Sequence, residues 1–283
     1  MPNASYPRFF YDMADISNNE ITISGSDAKH IDTVLRKRTG ELIIVCDGKG
    51  TDYLCELCDS DLDGVRVRVL YSQPSIGESD IKVTLYQSLP KSDKFDYIVQ
   101  KCVEAGISRI TPVLSAHTEF RERFAGERGV RLAVRWRRLA YEAAKQSGRG
   151  IVPEIGDFQN LIDAMKDCGR LAGQSPETRL ALIPYEYERN RSLKSALKAF
   201  KAGWSMPEII NSREVSRIEG RTVSLSESCV EIFYFIGPEG GFSPDEITAA
   251  IGCGIQPVSL GPRILRTETA GFLALCQIMY ELE

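Results

Sequence analysis

Short runs in which apolar and polar residues alternate occupy the first 74 residues of the chain. This alternation predicts half-buried strands at residues 21–23, 41–46, 52–57 and 65–69. One helix is predicted over residues 26–35, with Ser26 as its N-cap and a buried stripe of Ile31, Val34 and Leu35. Turn residues separate these elements. We therefore predict a small β-barrel domain over residues 1–74.

A second domain, residues 75–283, is predicted to follow a polar linker at residues 72–79. Strands are expected at residues 81–89, 109–114 and 179–183 and again from residue 231. Helices are expected at residues 92–105, 130–146, 192–201 and 268–282. Alternating strands and helices predict a mostly parallel α/β sheet that is covered on both faces. Residues 202–230 break this rhythm, and we interpret them as a long excursion that could form a hairpin.

Two Gly-Pro turns punctuate the last fifty residues, in IGPEGGFSPDEI (236–247) and LGPRILRTETA (260–270). Each follows a strand-like run and precedes a helix-like pattern, so both lie at the carboxyl ends of strands, where sheets of this class bind ligands. Pro238 and Pro262 end the strands. Glycine allows close backbone approach at Gly237, Gly240, Gly241 and Gly261. The pair predicts a ligand site; two ordinary loops are the alternative.

Composition excludes several classes of protein. The apolar fraction of 43% and the charged fraction of 26% are typical of a soluble globular protein. No run is long enough for a membrane helix and no signal-peptide core begins the chain, so a cytoplasmic location is expected. The eight cysteines are scattered, with one CxxC at Cys55–Cys58, and with two histidines they predict no metal site.

Charge is unevenly distributed. The net charge of −4 argues against a protein coated in positive charge, but residues 121–138 contain seven arginines and two glutamates. Such a patch could neutralise RNA phosphates. The alternative is a solvated helix face with ion pairs between neighbouring turns. Trp136 and Arg149 add stacking and guanidinium groups, which favour the RNA interpretation.

The first turn also limits the choice of cofactor. GPEGG lacks the Lys-Ser/Thr of a phosphate loop and the GxGxxG of a dinucleotide fold. Glu239 would repel a phosphate. A cofactor that is cationic or neutral at its reactive centre suits this loop better, and S-adenosylmethionine has that character.

Several motifs resemble those of the bacterial 16S ribosomal RNA uridine-N3 methyltransferases of the SPOUT superfamily. These are the two Gly-Pro motifs together with QSLPKSDKFDYIVQKCVEAGISRI (87–110) and RWRRLAYEAAKQSGRGIVPEI (135–155). PRFF (7–10) and HIDTVLRKRTGELIIVCDGKG (30–50) resemble the PUA-like barrel of that family. The likeness covers nearly the whole chain. Residues 202–230 are longer than the family leads us to expect, and Val103 stands where Thr is expected.

The resemblance implies a trefoil knot in the second domain, an S-adenosylmethionine site in the knotted loops and a homodimer. The residues implied to bind the cofactor are Leu182, Ile183, Pro184, Ile236, Gly237, Pro238, Glu239, Gly240, Gly241, Leu260, Gly261, Ile264, Leu265 and Arg266. The residues implied to bind 16S rRNA are Arg8, Arg36, Lys37, Arg38, Arg135 and Arg149. In the last helix, Phe272, Leu275, Cys276 and Met279 fit either a dimer seam or ordinary core.

Methylation of uridine N3 requires removal of its imide proton. Arg266 and Arg263 would stabilise the resulting anion, because guanidinium stays charged and forks around planar acceptors. Glu268 or Glu239 could accept the proton. Glu268 could instead cap the last helix together with Thr267 or Thr269.

Two further residues of the first domain complete these expectations. Arg8 could reach the target base from the partner's barrel, whereas His30 is expected to cap or pack within the barrel. The alternatives to this function are a SPOUT methyltransferase for another RNA or base position, and a non-catalytic PUA-type RNA-binding or ribosome-assembly protein.

Overall fold

The computed structural model describes residues 6–11, 19–61, 64–91, 93–119, 126–203 and 230–283. The predicted excursion at residues 202–230 therefore lies almost entirely outside the described residues. The described chain forms two compact units. The first comprises Met1–Glu78 together with Ala144–Val152, and the second comprises Ser79–Ala143 and most of the chain after Pro153.

The first unit is built on a curled five-stranded sheet with the strand order β1-β3-β4-β5-β2. Its strands are β1 (Arg8–Phe10), β2 (Glu20–Ile23), β3 (Leu42–Cys46), β4 (Thr51–Ser60) and β5 (Val65–Pro74). β1 is parallel to β3, and the other neighbours are antiparallel. Register shifts between β4 and β5 bend the sheet around a core that includes Phe9, Ile21, Ile43 and Val67. The four predicted strands are confirmed, and β1 is an addition.

The predicted helix at residues 26–35 is only partly correct. Helix α1 (Gly25–Lys29) begins at an N-cap of Ser24, so the assignment of Ser26 as the cap is wrong. A π-helical turn (His30–Val34) follows, closed by a 2.9 Å bond from Leu35 N to His30 O. The wider turn rotates the side chains that follow it. Ile31 is buried as predicted, whereas Val34 is 66% exposed.

The second unit contains a parallel sheet with the order β12-β10-β11-β6-β7-β8, and β9 pairs with β7. Its strands are β6 (Ile81–Ser88), β7 (Arg109–Leu114), β8 (Glu154–Ile155), β9 (Gln159–Asn160), β10 (Arg179–Pro184), β11 (Val230–Ile236) and β12 (Gln256–Val258). The predicted parallel α/β sheet is confirmed. Because β12, β10 and β11 are parallel neighbours in this order, their carboxyl ends lie at one edge of the sheet.

Helices cover both faces of this sheet. They are α2 (Lys94–Glu104), α3 (Gly126–Gln146), α4 (Leu161–Gln174), α5 (Leu193–Ala202), α6 (Pro244–Gly252) and α7 (Thr267–Leu282). α4 and α6 pack on one face through Met165, Cys168 and Ile247. α7 packs on the other face, where the Tyr234 hydroxyl donates to Gly271 O at 3.1 Å, and α2 and α5 pack against α7.

Helix α7 contains both buried core positions and partly buried positions. Leu275 and Met279 are buried in the core, whereas Phe272 and Cys276 are only partly buried. None of the helices in the described part of the chain is long and apolar enough to span a membrane.

Candidate active site

The first Gly-Pro turn connects the carboxyl end of β11 to α6. Gly241 N donates to Pro238 O at 3.0 Å, and Gly241 has a φ of +68°. Ser243 then caps α6, and its side chain and that of Glu246 form a reciprocal capping box. The predicted strand–turn–helix arrangement is confirmed at this turn.

The first residue of α7 joins the second Gly-Pro turn to the first. Thr267 Oγ1 donates to Gly237 O at 2.6 Å and accepts a 2.9 Å bond from Nε2 of the fully buried Gln87. The N-cap of α7 is Arg266, and no side chain caps this helix end. The alternative that Glu268 caps α7 with Thr267 or Thr269 is therefore wrong, because the Thr267 hydroxyl is bonded to the other turn.

The backbone of the first turn approaches its neighbours closely. A Cβ added at Gly240 would lie 3.1 Å from Cβ of His117, and one at Gly241 would lie 2.7 Å from Oε1 of Glu186. His117 Nδ1 also lies 3.1 Å from Gly241 O. Side chains larger than hydrogen would therefore displace the walls of this turn.

Two carboxylates stand on either side of Lys94. Glu239 Oε1 lies 2.8 Å from Lys94 Nζ, and the Glu239 carboxylate also accepts from Lys91 N at 3.1 Å. Burial raises the pKa of Glu239, but these hydrogen bonds outweigh burial and bring the pKa below its ordinary value of 4.5. Glu268 Oε2 lies 3.6 Å from Lys94 Nζ and has no hydrogen-bond partner, although it is buried.

The loop between β12 and α7 offers charges and backbone groups to a ligand. Arg263 and Arg266 are exposed and form no ion pair with any described residue. Ile264 is 91% exposed, and within the described residues its amide donates no hydrogen bond. The side chains of Leu182 and Ile183, at the end of β10, are fully buried, so only their backbone atoms could contact a ligand.

A cleft of about 530 Å³ lies beside the first turn. It is lined by Leu89, Lys91, Ala116, His117, Thr118, Glu119, Glu239 and Gly240. The ends of β6 and β7 therefore contribute to the same edge as the two Gly-Pro turns, and a ligand in the cleft would contact the first turn directly.

Arg8 is held inside the first unit. Its guanidinium forms a bidentate pair with Asp52 at 2.5 and 2.8 Å and contacts Cys46 Sγ at 2.8 Å. Ser75 Oγ donates to the same carboxylate at 2.5 Å, and Asp52 is 2% exposed. Burial lowers the pKa of Arg8, but the hydrogen bond to Asp52 and the neighbouring charges raise it above the ordinary value. This geometry gives Arg8 a structural role. His30 packs against Phe9 with ring centroids 6.1 Å apart, as expected.

The predicted RNA-binding residues differ in accessibility. Arg149 is 5% exposed, and its Nη2 lies 2.7 Å from Glu78 Oε2 within the first unit. Arg36 and Arg38 are exposed, whereas Lys37 pairs with Glu41 at 2.8 Å. In the second unit, Arg135 is exposed but pairs with Asp96, which also accepts from Trp136 Nε1 at 2.9 Å.

Comparison with known proteins identifies the family. A family model described as an RNA methyltransferase domain matches residues 77–279, and one described as an RNA methyltransferase PUA domain matches residues 23–70. The chain is 31% identical to ribosomal RNA small subunit methyltransferase E of Bacillus subtilis (strain 168) over 93% of this chain and 90% of that protein. This chain belongs to the ribosomal RNA small subunit methyltransferase E family.

Other members of this methyltransferase E family support the assignment. The Synechocystis protein of the same name is 30% identical, over 93% of this chain and 74% of that protein. The crystal structure of the Neisseria gonorrhoeae enzyme, bound to S-adenosyl methionine, has a TM-score of 0.72 and 26% identity, with 97% of each chain covered. The SPOUT-type fold expected from the sequence is confirmed.

The sequence did not predict that Lys94, Gln87 and His117 contact the two turns, or that Thr267 links one turn to the other. Lys94 and Gln87 lie in a motif that was recognised, but nothing in their spacing indicates what they contact. Gln87 follows Leu85 and Tyr86 near the end of strand β6, and a polar residue after such a run is a signal, because buried amides need partners.

Proposed function

We propose that this protein uses S-adenosylmethionine to methylate N3 of a uridine in 16S rRNA of the small ribosomal subunit. The observation that carries the proposal is the joining of the two Gly-Pro turns through Thr267 and Gly237 at the edge where three strands end. The names of the relatives support ribosomal RNA of the small subunit as the substrate. Uridine N3 rests on the resemblance of the motifs.

The two domains would divide this task. We assign residues 1–74 to a PUA-like RNA-binding barrel and residues 75–283 to the methyltransferase domain. Arg36 and Arg38 are exposed and offer charge for phosphate contacts. Arg135 would have to exchange Asp96 for a phosphate. Arg149 is buried and Arg8 is partly buried, and both are held in ion pairs, so we do not retain them as RNA contacts or, for Arg8, as a catalytic group.

The residues at the strand ends fit S-adenosylmethionine. A Cβ at Gly240 would crowd His117, and Gly241 has a positive φ that favours glycine, so a ligand there would meet backbone. The loop at residues 260–266 offers the Ile264 amide, which bonds to no described residue, and Leu182 to Pro184 would form the third wall. The carboxylate of Glu268 does not disfavour a sulfonium. When bound, S-adenosylmethionine supplies an electrophilic methyl group on that sulfonium.

The chain's own residues would bind and activate the uridine. Arg266, exposed at the N-cap of α7, would stabilise the anion of the base as the proton leaves N3. The fixed turns would orient the base toward the methyl group, and such orientation supplies a large part of a rate enhancement.

A homodimer in the cytoplasm is the proposed working form. On α7, Phe272 and Cys276 are partly buried and Tyr280 is exposed, so these side chains remain available to a second copy. Sedimentation of the purified protein tests this assembly: a monomer at micromolar concentration would contradict it.

Mass spectrometry of small-subunit rRNA tests the function. We expect a strain lacking this gene to lose one N3-methyluridine, and the wild-type gene to restore it. Arg266→Ala should fail to restore it, because one lost electrostatic stabiliser lowers turnover about 100-fold or more. Arg170→Ala, which removes an exposed arginine that pairs only with Asp167, is the matched control. Unchanged N3-methyluridine in the deletion strain would refute the proposed function.

A further inference from the structure

Lys94, the first residue of α2, connects the two Gly-Pro turns by charge. Its Nζ lies 2.8 Å from Glu239 Oε1 in the first turn and 3.6 Å from Glu268 Oε2 at the start of α7. The three residues are far apart in sequence, and Lys94 is only one-third exposed. By contrast, the surface ion pair between Lys101 and Glu104 on the same helix connects residues within one helical turn, and it links that helix to no other described segment. Lys94 therefore belongs to the site.

The two carboxylates beside Lys94 are not equivalent. Glu239 accepts hydrogen bonds from Lys94 Nζ and from Lys91 N, and these donors stabilise its ionised form and make it a weak base. Glu268 Oε2 is buried and accepts no hydrogen bond. A buried oxygen without a donor is costly to maintain, so such an oxygen in a site is available to a ligand.

Lys94 also limits where Glu268 can point. The 3.6 Å separation is too long for a hydrogen bond, so Lys94 attracts the Glu268 carboxylate without saturating it. The start of α7 is fixed by the bond from Thr267 to Gly237. Glu268 is consequently held at a defined place, and its Oε2 accepts no hydrogen bond from any described residue.

We propose that Lys94 is a positioning residue that keeps Glu239 bonded and leaves the Glu268 carboxylate as the acceptor of the uridine N3 proton. This inference rests on the proposed function. In this step the N3–H bond breaks and an O–H bond forms on Glu268. The electron pair of the N–H bond stays on N3, which becomes the nucleophile.

Substitution of Lys94 separates positioning from simple stability. We expect Lys94→Met to lower the single-turnover rate on small-subunit rRNA about 100-fold, the usual contribution of a positioned base. The Kd for S-adenosylmethionine, measured by calorimetry, should stay unchanged, and Lys94→Arg should restore most of the rate. Lys101→Met, on the same helix, is the control and should behave as wild type. A wild-type rate for Lys94→Met would overturn the inference, as would equal losses in rate and cofactor affinity.

A second pair of variants decides between the carboxylates even if Lys94→Met fails to fold. Glu268→Gln should lose more of the methyl-transfer rate than Glu239→Gln loses, while Glu268→Gln still binds S-adenosylmethionine. The reverse order would overturn the assignment of Glu268. An active wild-type enzyme with unaffected variants refutes this inference alone, whereas a wild-type protein that methylates no uridine refutes the proposed function and the inference with it.

Discussion

The Thr267 hydroxyl donates a 2.6 Å hydrogen bond to the carbonyl oxygen of Gly237, across 30 residues of sequence. Gln87 donates to the same hydroxyl from the centre of the sheet. The start of the last helix is thereby fixed to the turn after β11. Arg266 and Glu268 flank Thr267 in the chain, so this contact helps to fix their positions.

Replacement of Thr267 by Val should weaken both the fold and the site. The variant keeps the shape of the side chain but removes the donor to the Gly237 carbonyl and one of the two acceptors of the Gln87 amide, which still donates to Ser88 O. We expect the free energy of unfolding to fall by about 1–3 kcal/mol. Urea denaturation measures this change, and Thr269→Val, at an exposed position without a side-chain bond, is the control. Equal stability of the two variants would show that the Thr267–Gly237 hydrogen bond does not stabilise the fold.

Replacement of Gly240 by Val should abolish binding of S-adenosylmethionine while the fold survives. The added side chain would begin 3.1 Å from His117 and would fill the space over the turn. Calorimetry with the cofactor measures the loss. Gly173→Val, where an added Cβ meets nothing, should bind normally. Retained affinity in Gly240→Val would mean that the turn is only structural.

Removal of the Arg8 side chain should destabilise the first unit. Asp52 is buried, so Arg8→Ala leaves an uncompensated charge, and such losses amount to about 3–5 kcal/mol. Arg66→Ala removes an exposed pair with Asp59 on the same sheet and should change stability by less than about 1 kcal/mol. Chemical denaturation of both variants tests the difference. A stable Arg8→Ala variant that loses activity would instead support a catalytic role.

The contribution of Glu239 to stability should depend on pH. Its pKa in the folded protein is below the ordinary value of 4.5, so the stabilisation is complete above that value and disappears as the pH falls through the folded pKa. The difference in free energy of unfolding between wild type and Glu239→Gln should therefore be largest above pH 4.5 and should shrink as the pH falls below that value. A stability difference between wild type and Glu239→Gln that grows toward low pH would contradict the predicted direction.

The sequence predicts those features whose causes lie within a few residues of chain. The parallel strands and the Gly-Pro turns follow from periodicity and from Gly and Pro, and both are found. The π-helical turn at residues 30–34 was not predictable, because the period of 3.6 residues that places Val34 on the buried face does not hold there.

The charged centre of the site depends on distant contacts. Lys94, Glu239 and Glu268 come together only after three segments have folded, so no local pattern indicates their pairing. Thr267 looked like a helix cap because threonine favours such positions, yet its hydroxyl meets Gly237. Arg8 looked like a base contact, and its burial against Asp52 is a property of the folded sheet.

The carboxylate of Glu78 accepts hydrogen bonds from the amides of Gly150 and Ile151, the first of which lies 72 residues later in the chain. During synthesis, Glu78 leaves the ribosome well before Gly150 and Ile151. The first unit cannot complete its internal bonding until the segment through Val152 has emerged, even though its sheet ends at Pro74. A fragment that stops at Glu78 would therefore be an unfinished unit, and its folding should improve when residues 144–152 are supplied as a peptide.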